Sequence, residues 1–92
     1  MNAYRPLHCD LHDYLEIACT YQYGLRIELR SGLMFEAAAM TTHTRRNAQG
    51  ELEEFLQVRV EGASRELRLD LLRAITPLRA DARFGRIELN PA

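Results

Sequence analysis

The sequence predicts a mainly β fold in which an N-terminal α-helix is followed by a five-stranded antiparallel β-barrel. Three observations carry that expectation. A short acidic amphipathic segment, residues 10–20, precedes everything strand-like. Beyond it the apolar residues switch to a period of two, most strictly in Leu25-Arg26-Ile27-Glu28-Leu29-Arg30, the pattern of a half-buried strand. The runs are joined by short turn-forming pieces such as Ser31-Gly32 and Glu61-Gly62-Ala63-Ser64, and connections that short join antiparallel neighbours only.

In chain order, Tyr4-Arg5-Pro6-Leu7-His8 reads as an extended lead-in, because proline disfavours helix at the residue before it and has no amide to donate. The helix is expected from about Asp10 to Thr20. Asp10 suits an N-cap, and Asp13 suits the positive end of the helix dipole. Leu11, Tyr14, Leu15 and Ala18 recur at helical spacing and form a stripe that docks on the domain. Asp10, Asp13 and Glu16 fall along another side, where a row of carboxylates offers a surface for something basic; the plainer reading is a set of solvated helix acids.

The strand at 25–30 is followed by a second from Leu33 to about Thr42, with Phe35, Ala37 and Ala39 on one face. The small residues Ala37, Ala38 and Ala39 suit a place where a sheet bends or another element crowds in. Thr44 to Glu51, with Arg45-Arg46-Asn47-Ala48-Gln49-Gly50, reads as the loop of a long hairpin. The third strand is 55–60, with Leu56, Val58 and Val60 inward, and the fourth is 65–70, with Leu67 and Leu69 inward. Leu71 to Ile75 reads as a short helical turn before Pro77, and Phe84 to Leu89 as the fifth strand. Closure of these strands into a barrel removes exposed edges. A helix placed before the strands, with only a tight turn between the third and fourth, fits an Sm-like barrel better than an OB barrel, whose helix comes between those strands.

Composition narrows function. Ninety-two residues are expected to form one domain, and at this size roughly 60 to 65% of the unfolded surface is buried, enough for one small core. Twelve basic residues, all arginine, against thirteen acids leave a net charge of −1, which argues against tight, charge-driven nucleic-acid binding. Without a long apolar run or a secretion-type start, a cytoplasmic location is expected. The two cysteines are then expected reduced. His8, Cys9, His12 and Cys19 lie close in sequence, but Cys9-x2-His12-x6-Cys19 matches no common zinc spacing. A Cys9–Cys19 disulfide would have to cross about 15 Å of helix. No phosphate loop, nucleophile turn or His-Glu-x-x-His helix is present, so neither an enzyme nor a bound cofactor or metal is expected.

Tyr4-x-Pro6 followed by Cys9-Asp10, then Asp13, then Leu15-Glu16-x-Ala18-Cys19 resembles the opening signature of the Rho-binding antiterminator (Rof) family. The resemblance continues through Arg45-Arg46-Asn47 and Arg65-Glu66-Leu67-Arg68-Leu69-Asp70, and spans about Tyr4 to Ile75. It implies a helix followed by an Sm-like barrel, and a partner, the transcription termination factor Rho. It further implies that the protein obstructs the RNA-binding region of Rho's N-terminal domain, so that RNA cannot load and termination is inhibited. A surface that binds RNA offers Arg and Lys to phosphates, and carboxylates placed to meet the same groups compete for them. On that pattern Asp10, Asp13 and Glu16 are the expected partner contacts, with Arg45, Arg46 and Asn47 as a second contact.

The chain departs from the family pattern at Leu11 and His12, where relatives tend to carry another acid and a tyrosine, so its acidic row is thinner. His12 stands within the expected site: a histidine there titrates near neutral pH and would weaken a basic contact when protonated, or it is an exposed side chain with no such role. Glu66, Arg68 and Asp70 share one strand face, where cross-strand ion pairs are expected. Tyr21 and Tyr23 are expected to pack rather than to stack on bases. A direct RNA-binding Sm-like module, using Arg73, Arg79, Arg83 and Arg86, is the alternative function. A ring of copies joined through edge strands is the other alternative to a monomer.

Overall fold

The computed structural model describes residues 7–90; the expected lead-in from Tyr4 to Pro6 lies outside them. The helix α1 spans Cys9–Thr20. Its first turn is capped by His8 and not by Asp10: the His8 Nδ1 accepts the Asp10 amide at 3.3 Å, and the His8 carbonyl accepts from Leu11 and His12. Asp10 therefore sits inside the first turn, where its charge still faces the positive end of the dipole. The helix ends in a Schellman arrangement, with the Tyr23 amide donating to Ala18 and the Gln22 amide to Cys19. Gln22 holds the left-handed position at φ 51°, a place usually filled by glycine.

Six strands follow: β1 Gly24–Leu29, β2 Met34–Arg46, β3 Leu52–Val60, β4 Ala63–Arg68, β5 Leu72–Pro77 and β6 Ile87–Glu88. They form one antiparallel sheet in the order β4-β3-β2-β1-β5-β6. The mainly β fold with a leading helix is as the sequence predicts. The strand count is six and the sheet stays open, its end strands β4 and β6 having no ladder between them.

Three assignments are corrected, the first being that of the expected strand from Phe84 to Leu89 only Ile87–Glu88 pairs as a strand. Leu72–Pro77 is a strand and not a helical turn; the turn falls earlier, as a 3-10 segment at Leu69–Leu71. The reason is tertiary: β1 is flanked by β2 on one side and β5 fills the other, paired in register from Leu25 opposite Pro77 to Glu28 opposite Ala74 and, past a register shift, at Leu29 opposite Leu72. Pairing of that kind overrides a helix-tolerant local sequence. Likewise the long loop is shorter than expected. The ladder between β2 and β3 runs to Arg46 opposite Leu52, so Arg45 and Arg46 are strand residues.

The core lies inside the bent sheet and under α1. Leu15 and Ala18 from the helix meet Leu25 and Ile27 of β1, Ala37 and Ala39 of β2, Leu56 and Val58 of β3, and Leu69, Leu72 and Ile75. The alanines explain themselves here. A register shift breaks β2 between Ala39 and Thr41, and α1 lies against that strand, so a small side chain lets helix and bent strand approach. Glu61 and Gly62, both at positive φ, link Val60 to Ala63 as a two-residue hairpin turn whose twist suits the flanking strands.

Candidate functional site

The helix positions the expected acidic row as its period dictates. Docking Leu15 and Ala18 into the core turns Asp10, Asp13 and Glu16 outward, and all three are exposed. Asp10 has a loose contact of 3.8 Å with His8. Among the described residues no ion pair holds Asp13 or Glu16. Their charges are therefore available to a partner.

His12 sits beside that row on α1. It is half-buried, with its Nε2 3.3 Å from Glu54 Oε1, so it ties the front of α1 to β3. Glu54 lies opposite Thr44 of β2. The β2–β3 hairpin thus reaches up beside the helix N-terminus.

The structure divides Arg45 from Arg46, as adjacent strand residues must be, onto opposite faces of the hairpin. Arg45 lies on the outer face, its guanidinium 4.3 Å from the centre of the Phe55 ring and bonded to both Glu66 carboxylate oxygens at 3.0 and 3.3 Å. His43 stacks on the same ring at 5.5 Å and also contacts Glu66. Arg68 completes this face with a bidentate pair to Asp70 at 2.7 and 2.9 Å and a contact to Glu53 at 3.4 Å. The expected cross-strand ion pairs are present. The Arg45 and His43 hydrogen bonds hold the Glu66 carboxyl below its ordinary value.

Arg46 points to the other face and donates to the Gly50 carbonyl. Asn47 builds the turn itself: its Oδ1 accepts the Gln49 and Glu51 amides at 2.9 and 3.0 Å, and its Nδ2 donates to Glu53 at 3.0 Å. Asn47 fixes how the hairpin tip presents its neighbours.

A second set of residues next to the acidic row was not foreseen. Asp13, Glu16, Ile17, Thr20, Tyr21 and Arg83 line a shallow groove of about 430 Å³. Arg83 arrives from the segment before β6, its guanidinium 4.8 Å from the Tyr21 ring centre, while its amide donates to the Tyr23 hydroxyl at 3.1 Å. Tyr21 and Tyr23 stack at 5.8 Å, Phe84 meets Tyr14 edge-on at 5.2 Å, and Tyr21 stays 45% exposed. Tyr23 therefore packs into the core as expected, whereas Tyr21 stays at the surface beneath an arginine that periodicity could not place there. Cys19 lies half-buried below, its thiol pushed up to about 11 by burial first and by Glu16 second. Both cysteines are free. Among the described residues no group of three or more His, Cys, Asp or Glu is gathered to hold a metal ion, and no helix is long and apolar enough to cross a membrane.

The family model described as "Modulator of Rho-dependent transcription termination (ROF)" matches residues 6–89. "Protein rof" of Escherichia coli (strain K12) is 39% identical over 69 residues, which is 75% of this chain and 76% of that protein, and the same holds for "Protein rof" of Shigella flexneri. Among solved structures, "YaeO bound to Magnesium from Vibrio cholerae O395" superposes with a TM-score of 0.67 at 28% identity, covering 83% of this chain and 94% of that one. With nearly its whole length matched and the helix-then-sheet fold shared, the chain belongs to the Rof family of modulators of Rho-dependent transcription termination.

Proposed function

We propose that the protein binds Rho at its RNA-binding N-terminal region, one copy to each Rho protomer, and inhibits termination by keeping RNA from loading. The observation that carries this reading is the outward row of Asp10, Asp13 and Glu16 on a helix anchored by Leu15 and Ala18. Anchoring fixes the backbone that carries the carboxylates, so binding has only their side-chain rotamers left to order, and the attraction weakens as salt rises. Arg45, Arg46 and Asn47 form the second contact. In it Arg46 lies on the hairpin face shared with Glu54 and hence with His12 and the helix, Asn47 holds the turn, and Arg45 is steadied by Glu66. His12 acts by fixing the helix against β3 through Glu54. No step of this action is catalytic and none needs a cofactor; the protein works as a cytoplasmic monomer.

The test is competition between the protein and a labelled C-rich RNA for purified Rho, comparing the wild type with the Asp10→Arg, Asp13→Arg double variant. The wild type is expected to displace RNA, and the variant to need at least about tenfold more protein, the equivalent of 1.4 kcal/mol. One observation favours a second reading, direct RNA binding: the Arg83 guanidinium lies 4.8 Å from the ring centre of the exposed Tyr21, an accessible arginine and aromatic ring of the kind that bases stack on. A wild type that leaves the Rho–RNA complex intact and shifts the RNA itself would establish that reading in place of the first.

A further inference from the structure

An open sheet has two end strands, and each is a template on which another strand can add. At one end, β4 carries Ser64, Arg65 and Glu66, all exposed, along an edge that is charged and polar. The next strand in from the other end, β5, is unlike it. Its Leu72, Ala74, Ile75 and Pro77 are buried, and Arg73 is its one exposed, charged side chain. What covers it is the end of the chain's own fold.

That cover is fastened at many points although its strand is only two residues long. Glu88 and Ile87 pair with Ala74 and Ile75. The Leu89 amide donates to the Arg73 carbonyl at 2.7 Å. The Asn90 amide group donates twice, to the Leu69 carbonyl at 2.9 Å and the Leu72 carbonyl at 2.7 Å. Leu89 is 4% exposed and joins the core. Arg86 adds a bidentate pair with Glu28 at 2.9 and 3.0 Å, and Phe84 seats the approach against Tyr14 and Tyr23.

We propose that residues 84–90 are an intramolecular cap on the β5 edge whose role is to exclude a second copy of this chain. The occupant excluded is an edge strand of another molecule, because among the described residues the outer edge of β4 is unpaired in every copy and a β5 stripped of its cap offers unsatisfied carbonyls and amides beside apolar side chains. This inference does not depend on how the protein acts on Rho. It assigns a purpose to Asn90, whose two side-chain bonds both go to carbonyls beside β5.

The test uses the full chain with Asn90→Asp, since a carboxylate cannot donate to the two carbonyls and is repelled by them. Sedimentation velocity over a concentration series is read together with hydrogen exchange at the Leu89 amide. The wild type is expected to stay at monomer mass with a slowly exchanging Leu89 amide. The variant is expected to exchange fast there and to gain mass with concentration, to at least double, and an excess of synthetic peptide spanning residues 84–90 is expected to return it to monomer. Should the Leu89 amide stay protected, the Leu89→Asp, Asn90→Asp variant removes the anchor in the core as well. A variant with the cap released that remains a folded monomer overturns the proposal. So does protection that survives in the double variant, a wild type that already self-associates, or association that the peptide does not reverse.

Discussion

Phe55 shows how much one side chain organises. It is 8% exposed on the outer face of the sheet, and Arg45, His43 and, through them, Glu66 arrange themselves on its ring. Phe55→Ala is expected to lower stability by about 3 kcal/mol, as for other large aromatic truncations. Phe55→Leu keeps the burial, loses only the ring interactions and is expected to cost about 1 kcal/mol. Chemical denaturation of the two variants checks both, and a similar loss in each would place the energy in the ring contacts instead of burial. The cysteines give a second residue-scale outcome. Only the thiolate reacts, and the Cys19 thiol is pushed up to about 11 while Cys9 is exposed. A colourimetric thiol reagent at pH 8 is expected to label one thiol quickly and the other only on unfolding, with Cys9→Ser removing the fast phase.

At the scale of elements, α1 is fixed at both ends by devices that propensity alone would not choose. His8 serves as N-cap and Gln22 occupies the left-handed C-terminal position at φ 51°. A side chain pays a steric penalty there that glycine escapes. Gln22→Gly is therefore expected to stabilise the protein by about 0.5 to 1 kcal/mol, with the glycine's greater freedom in the unfolded chain subtracting from the gain. Thermal melting decides it; a lower melting temperature would mean that the Gln22 side chain contributes something its exposed position does not reveal. The hairpin of β2 and β3 depends in the same way on Asn47, whose carbonyl oxygen takes two turn amides.

For the whole molecule, ion pairs on three different parts of the surface give stability a pH dependence with a definite sign. Arg86 holds the Glu28 carboxyl below its ordinary 4.5, Arg45 does so for Glu66, and Arg79 holds Asp81 below 3.8. A carboxyl with a depressed native value contributes stability that is full above its unfolded value and is lost as pH falls through the native one. The melting temperature is thus expected to decline as pH drops below 4.5, and to decline less in the Glu66→Gln variant, which starts lower at neutral pH. Cys19 acts at the other end. Its raised native value means stability full below 9.0 and lost as pH climbs toward about 11; Cys19→Ala is expected to flatten that alkaline decline. These surface pairs are screened, so each contribution is small.

Features that depend on neighbours a few positions apart are legible in the amino-acid order. The 3.6-residue spacing of Leu11, Leu15 and Ala18 gave α1 and turned Asp10, Asp13 and Glu16 outward, and the strict alternation at 25–29 gave β1 within a residue. Glycines at positive φ, Gly32 and Gly62, marked the turns, and the crowding at Ala37 to Ala39 was legible in their size. What the tertiary structure decided depends on contacts between distant residues. Leu72–Pro77 became a strand because β1 took it as a partner, and β6 is only two residues long, with Asn90 beyond it bonded through its side chain to the Leu69 and Leu72 carbonyls. Arg83 reached Tyr23 across 60 residues of chain, completing a groove beside the acidic row. Local periodicity encodes which face of an element is apolar; it carries no information on which distant residue will be brought to that face, because register across the sheet is set by packing of the whole core.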